Sequence, residues 1–191
     1  MLTIFAHYQA GTIPTNPSLT LLFYHPCQSP IAVPEIASLA RLYIRPGFLL
    51  RRAHQISASV FEEECRDLAL TPAQFGVMTV LNAHPGLDQS SLARSLGFDK
   101  VTMLRVLRVL ETRGLVARAP APGNRRNLSI TLSDEGRTVL LKAQDAAERA
   151  YERLLSPLNP DQQQQLVTLL QLLSVGLEDQ ARAPFVPQPA N

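Results

Sequence analysis

The segment from Asp99 to Arg113 places Met103, Val106, Leu107 and Leu110 at i, i+3, i+4 and i+7. That spacing puts four apolar side chains on one side of a helix. At about 100° per residue, the opposite side holds Val101, Arg105, Arg108 and Thr112, with Lys100 in the first turn and Thr102 and Leu104 near the edges. One face must be buried against a core while the other offers cations to solvent. Asp99 can accept hydrogen bonds from the first free backbone N–H groups, and Gly114 can take the left-handed conformation that ends a helix. The segment thus carries its own start and stop signals.

Its neighbours are punctuated in the same way. Asp88 can cap a helix over Gln89–Leu96, and Gly97 supplies a tight turn into the next one. Two short helices joined through a glycine turn make a helix-turn-helix. Beyond Gly114, the stretches Leu115–Ala119 and Leu128–Leu132 have strand length, the second with Leu128, Ile130 and Leu132 inward and Ser129 and Thr131 outward. The residues between them, Pro120 to Asn127, are expected as a loop that carries the adjacent Arg125 and Arg126. Helix, turn, helix and arginine-tipped hairpin together compose a winged helix, a fold that grips DNA.

Longer helices are expected on both sides. Pro46 can start one, and Gly47 to Leu68 runs without a further proline or glycine. Thr71-Pro72-Ala73-Gln74 matches a capping box, Ser133 to Gly136 opens a helix reaching about Leu155, and Asn159 to Gln162 opens a last one to about Asp179. In the last, Leu166, Leu169, Leu170, Leu172, Leu173 and Leu177 cover more than one stripe, as expected for a helix that is central or shared with a second chain. The expected architecture is mainly α with a small β-hairpin wing, a winged helix-turn-helix plus a helical dimerisation domain. The expected bounds are 71–137 for the DNA-binding domain, 41–70 and 138–180 for dimerisation, 1–40 for a poorly ordered extension and 181–191 for a flexible tail. Two-fold symmetry would set two reading helices about 34 Å apart over an inverted repeat.

The formal net charge of +2 conceals an uneven distribution. Residues 88–133 carry eight basic and three acidic side chains, whereas 134–191 carry five and eight. Positive charge concentrated on one module draws it to the DNA phosphates irrespective of base sequence. Cys27 and Cys65 offer neither zinc spacing nor a disulfide framework, which fits a reducing cytoplasm. Leu19–Tyr24 is apolar but too short to cross a membrane, so no membrane partner is expected. Residues 1–34 lack Lys, Arg, Asp and Glu and hold five prolines. Two origins stay open for this extension: translation from an over-long gene model whose natural start lies near Val33, or a real flexible arm. A phosphate-binding glycine loop, metal-ligand spacing and a histidine with a catalytic partner are all missing, so neither an enzyme nor a cofactor is expected.

Residues 46–175 resemble the MarR family of bacterial transcriptional regulators. The resemblance rests on Leu70-Thr71-Pro72-Ala73-Gln74-Phe75, Asp88-Gln89-Ser90-Ser91-Leu92-Ala93, Leu96-Gly97-Phe98-Asp99-Lys100, Leu110-Glu111-Thr112-Arg113-Gly114-Leu115-Val116 and Leu132-Ser133-Asp134-Glu135-Gly136. It implies an obligate homodimer on double-stranded DNA, usually a repressor released by a small phenolic or carboxylate effector. It further implies that Lys100, Thr102 and Arg105 meet the major groove and nearby phosphates, that Arg125 enters the minor groove and that Arg126 braces the wing. This chain departs from the family pattern at Asn124, where an aspartate is usual, and at Val101 and Leu104, which are commonly hydroxylic. An outward Val101 could touch a thymine methyl; the alternative is packing on the neighbouring helix.

The trigger has two candidate chemistries. Pro46-Gly47-Phe48-Leu49-Leu50-Arg51-Arg52 looks like a MarR subgroup that controls aromatic-acid catabolism. Arg51 or Arg52 could pair with an effector carboxylate, His54 could bind a ring hydroxyl, and Phe75 and Met78 could wall the pocket. The alternative is that the arginines bridge subunits or touch phosphates and His54 packs at the interface. A cysteine-based redox sensor is the rival, disfavoured because Glu62, Glu63, Glu64 and Asp67 surround Cys65 and oppose its thiolate. A protein-interaction module without DNA is the remaining class.

Overall fold

The computed structural model describes residues 39–121 and 124–189, with side chains from 41 to 120 and from 128 to 189. Expectations for residues 1–38, including the start near Val33, lie outside that range. The element order is α1 (Leu39–Tyr43), α2 (Pro46–Glu64), α3 (Pro72–Ala83), α4 (Gln89–Ser95), α5 (Lys100–Thr112), β1 (Val116–Ala121), β2 (Asn124–Leu132), α6 (Asp134–Leu155) and α7 (Pro160–Gly176). It is a mainly helical chain with one two-stranded antiparallel ribbon.

Helix starts follow the capping residues. Thr71 and Gln74 close a reciprocal capping box on α3, and Asn159 and Gln162 do the same on α7. Asp88 accepts from the N–H groups of Ser90 and Ser91, Asp99 from that of Thr102, and Ser133 from that of Gly136. Each supplies a partner to N–H groups that the first helical turn leaves open. Gly97 and Gly114 take φ values of 62° and 69° in the turns that follow α4 and α5.

Several elements differ from expectation: α1 begins inside the stretch expected as a poorly ordered extension, and α7 ends at Gly176, short of Asp179, with a separate 3-10 turn over Glu178–Gln180. Helix α2 stops at Glu64 rather than running to Leu68; a 3-10 turn over Arg66–Leu68 follows, ending with Ala69 at φ 47°. An alanine there is disfavoured by about 1–2 kcal/mol. Arg113, at the end of α5, offsets this by donating to the carbonyls of Leu68 and Ala69, each at 2.7 Å. The hairpin is also longer than its apolar alternation suggests, since β1 runs to Ala121 and β2 begins at Asn124. Arg125 and Arg126 therefore stand on strand backbone instead of in a loop, and their side chains, with that of Asn124, lie outside the described residues. A two-stranded ribbon has open edges, so Pro120 is tolerated, and the register shifts immediately after it. Leu128, expected inward, is 46% exposed because it pairs with Pro120 beyond the edge of the core.

The core lies under α5. Met103, Leu107 and Leu110 are fully buried with Leu92 of α4, Val77 and Met78 of α3, Ile130 of β2 and Ala143 of α6, while Val106 is only partly buried. Ile130 also bridges Leu87, which ties the segment before α4 to the ribbon. At the far end, Ser133 donates its hydroxyl to the Gly114 carbonyl at 2.6 Å and its backbone N–H to the Leu115 carbonyl at 3.1 Å. That carbonyl comes so close to α6 that a β-carbon on Gly136 would sit 2.0 Å from its oxygen. Because the obstacle is backbone, replacement of Gly136 by alanine must displace either β1 or α6. The Gly136→Ala variant is expected to lose about 1–3 kcal/mol in urea unfolding, and an unchanged midpoint would refute the close fit.

Candidate nucleic-acid interface

The buried stripe of α5 decides which side chains its other face offers. Lys100, Arg105 and Arg108 are exposed, and Val101 is 67% exposed, so Val101 points to solvent and does not pack on a neighbouring helix. Thr102 is different. Its N–H donates to one oxygen of Asp99 at 2.8 Å and its hydroxyl to the other at 2.9 Å. The hydroxyl hydrogen thus serves the cap, and only lone pairs remain for a nucleic acid. Asp88 works likewise at α4, accepting from Ser90 at 2.8 Å, from the Ser91 backbone at 3.0 Å and from the Ser91 hydroxyl at 2.8 Å.

The ribbon is set against α5 by a clasp that sequence reasoning missed. Arg118 of β1 donates Nε–H to Glu111 of α5, and its Nη1 reaches Gln89 Oε1 of α4 at 3.3 Å. Both partners of the ion pair are mostly buried, at 23% and 30% side-chain exposure, which makes it less screened than a surface pair. One arginine thereby orients the wing relative to both helices of the turn.

A separate cavity of about 600 Å³ opens between α2, α3 and α6. Ser57 and Phe61 of α2, Pro72, Phe75 and Thr79 of α3, and Gln144, Glu148, Tyr151 and Leu154 of α6 contribute to its wall. The rings of Phe61 and Phe75 lie 5.4 Å apart at a tilt of 51°. Of the side chains expected around an effector, Phe75 stands in this wall, whereas Met78 is fully buried in the core. Arg51, Arg52 and His54 are exposed on α2 and do not line the cavity; Arg51 bonds Gln55 at 3.1 Å and lies 5.1 Å from the Phe48 ring centre. Among the described residues, the wall contains no cation and one anion, Glu148. The α6 contribution escaped sequence reasoning, although Gln144, Ala147, Tyr151 and Leu154 recur at helical spacing.

Cys65 is fully buried. Burial pushes its thiol pKa up, Arg149 opposes this, and Glu64 adds to it. Desolvation, more than the neighbouring carboxylates, is therefore what disfavours the thiolate. Those carboxylates are engaged elsewhere: Glu64 pairs with Arg149 and Arg153 of α6 at 3.3 and 3.2 Å, and Glu63 with Arg153 at 2.9 Å.

The model of the MarR family matches residues 70–127. The HTH-type transcriptional repressor Rv2887 of Mycobacterium tuberculosis is 32% identical over 127 residues, 66% of this chain and 91% of that protein. The chain belongs to the MarR family. Two solved structures extend the comparison. The transcriptional repressor CouR bound to a 23-mer DNA duplex superposes with a TM-score of 0.66 at 32% identity, covering 73% of this chain and 99% of that one. Bordetella bronchiseptica BpsR, whose DNA binding is regulated by 6-hydroxynicotinic acid, gives 0.65 at 30% identity, covering 69% and 94%. This MarR-family chain is thus a transcriptional regulator with a winged-helix fold, not an enzyme. Among its described residues, no helix is long and apolar enough to cross a membrane.

The caps give the reading module an acid limit. The backbone N–H and hydroxyl of Ser91 hold Asp88 below the usual carboxylate range, and those of Thr102 do the same for Asp99. Since the folded state binds these protons less tightly, the stabilisation is complete above the ordinary aspartate value near 4 and fades as pH falls through the lowered folded values. The gap in stability between the intact chain and Asp88→Ala, about 1 kcal/mol near neutrality, is expected to narrow in urea titrations carried below the ordinary aspartate value near 4. A gap that persists undiminished would contradict the capping role.

Proposed function

We propose that this chain is a homodimeric repressor that reads an inverted repeat and releases it on binding a small aromatic acid. The observation that carries the DNA reading is the exposure of Lys100, Val101, Arg105 and Arg108 on a helix whose other face is locked in the core. In this reading Lys100 and Arg105 meet the major groove and its phosphates, Arg108 adds backbone attraction, and the lone pairs of Thr102 accept from a base or water. Arg125 and Arg126 stand on the ribbon that the Arg118–Glu111 clasp aims, one to enter the minor groove and the other to steady the wing.

Dimerisation is supported by apolar side chains that a single chain leaves exposed. Leu42, Tyr43, Ile44, Leu49, Leu50 and Ile56 form one set on α1, α2 and the turn between them, and Leu169, Leu170, Leu172 and Leu173 form another on α7. Helix α7 buries none of its residues within the described chain. An exposed apolar surface of this extent marks an interface.

For the effector, the cavity has the volume of a small-molecule site. Phe61, Phe75 and Tyr151 suit a planar ring, with Ser57, Thr79 and Gln144 to meet its hydroxyl. The acid group would need a cation from outside the wall, and Arg51, Arg52 and His54 on the same helix are the candidates in this chain. Cys65 is too deeply buried to favour a redox trigger.

Gel-shift titration on the upstream region of the gene tests DNA reading. Arg105→Ala should relax or abolish specificity, whereas Arg125→Ala should weaken binding on all sequences and lower the salt slope by about 1. Unchanged binding by both variants would refute the docking, and no specific complex at moderate salt would favour a protein-interaction module. Replacing one particular operator thymine by uracil should weaken binding through the methyl lost from Val101. For the effector, a hydroxylated aromatic acid at about a hundredfold over its Kd adds about 2.7 kcal/mol and should raise the unfolding midpoint of the intact chain but not of Phe75→Ala. No shift with any aromatic acid would count against this pocket.

A further inference from the structure

After α7 the chain makes a 3-10 turn over Glu178–Gln180, bends at Arg182 and Ala183 and runs without regular secondary structure to Pro189, through the greater part of the stretch expected as a flexible tail. Pro184, Pro187 and Pro189 stiffen it, because each fixes its own φ and biases the preceding residue towards extended backbone. It returns to the helix-turn-helix. The N–H of Val186 donates to the Arg94 carbonyl at 2.9 Å, Gln188 Nε2 donates to Ser95 Oγ at 3.1 Å, and His84 donates Nε2–H to the Pro189 carbonyl at 2.9 Å. Phe185 lies against the turn itself, where a β-carbon on Gly97 would stand 3.7 Å from its own. At the near end, the Phe185 N–H donates to Glu178 Oε1 at 2.8 Å, which fastens the segment to the end of α7.

These contacts use acceptor capacity that the reading module leaves over. Arg94 contributes one of the last carbonyls of α4; the N–H groups of Leu96 and, at 3.3 Å, Gly97 turn towards it, and Val186 adds a more direct bond. Ser95 is nearly buried and gives its hydroxyl hydrogen to the Ser91 carbonyl at 2.8 Å, so its oxygen can only accept further bonds. Gln188 supplies that bond. His84 closes α3 and Ser95 closes α4, so a single proline-rich segment holds the ends of both helices that support α5.

We propose that residues 184–189 act as a strap that holds the α3–α4–α5 unit at a set position relative to α7, making Phe185 and Gln188 positioning residues for the reading of a two-part operator. The strap rests on the DNA-reading dimer proposed above. If α7 packs on a second copy, the strap adds to α6 a second connection from the subunit junction to the reading helix. Its effect then falls on the spacing of two half-sites, not on the grip of either one.

The test uses the full chain, a chain ended at Ala181, and Gln188→Glu, which keeps the length but offers no hydrogen to Ser95. Amide hydrogen exchange at residues 95–98 should quicken about tenfold in both variants, the change expected for loss of about one hydrogen bond, while Gln188→Glu lowers the unfolding midpoint by no more than that one bond is worth, because no strap residue belongs to the core. The chain ended at Ala181 should lose about tenfold in affinity for an inverted repeat and keep its affinity for a single half-site. Unchanged exchange at residues 95–98 would overturn the strap. Equal losses on the half-site and the full repeat would overturn the positioning role. Failure of the intact chain to bind any DNA would instead overturn the functional reading, with the exchange result still deciding whether the strap exists.

Discussion

The carbonyl of Leu115 is the point on which the reading module turns. It accepts from Ser133 and sits where any side chain on Gly136 would have to go, so the end of α5, the start of β1 and the first turn of α6 share one small volume. Two glycines and a serine meet there: Gly114 reverses the chain, Ser133 caps α6 and bonds back to Gly114, and Gly136 leaves room for the backbone. Helix α5 cannot rotate about its axis without moving the origin of the ribbon, and the ribbon cannot swing without pushing on α6. A rigid relation between recognition helix, wing and the long α6 follows from backbone contact, which allows less slippage than side-chain packing.

What was legible in the chain was what is local. The caps at Thr71, Asp88, Asp99, Ser133 and Asn159 each use a side chain two or three residues from the N–H it meets, and the stripe on α5 repeats within one helix. Those features announce themselves in a short window. The departures all come from distance. Helix α2 ends early in company with Arg113, which holds the following turn from more than forty residues away. The ribbon extends past its alternating pattern because pairing continues through Pro120, which propensity alone would assign to a loop.

The candidate effector site divides along the same line. Phe75 could be named from its place on α3, but the facing wall comes from α6, some seventy residues on, and the arginines of α2 that suggest carboxylate chemistry stand outside it. The cavity wall and the cations are thus separated along α2, with Ser57 and Phe61 in the wall and Arg51 and Arg52 nearer the start of the helix. The base of that helix is fixed to α6 by Glu63, Glu64, Arg149 and Arg153. A body entering the cavity would press on a pair of helices already joined below it, and so work against a hinge and not a free gap.

The ribbon has a further consequence. A two-stranded hairpin that projects from a protein presents unpaired backbone on both edges, and such edges recruit strands from other molecules. Here β1 carries a proline, which removes a donor, and the register breaks next to it. A third strand would find no continuous ladder along β1, and on β2 the Ile130 backbone is already bonded to Gly86 and Leu87. The same irregularity that carries the ribbon past its alternating pattern thus keeps the β1 edge from templating the strand of another molecule.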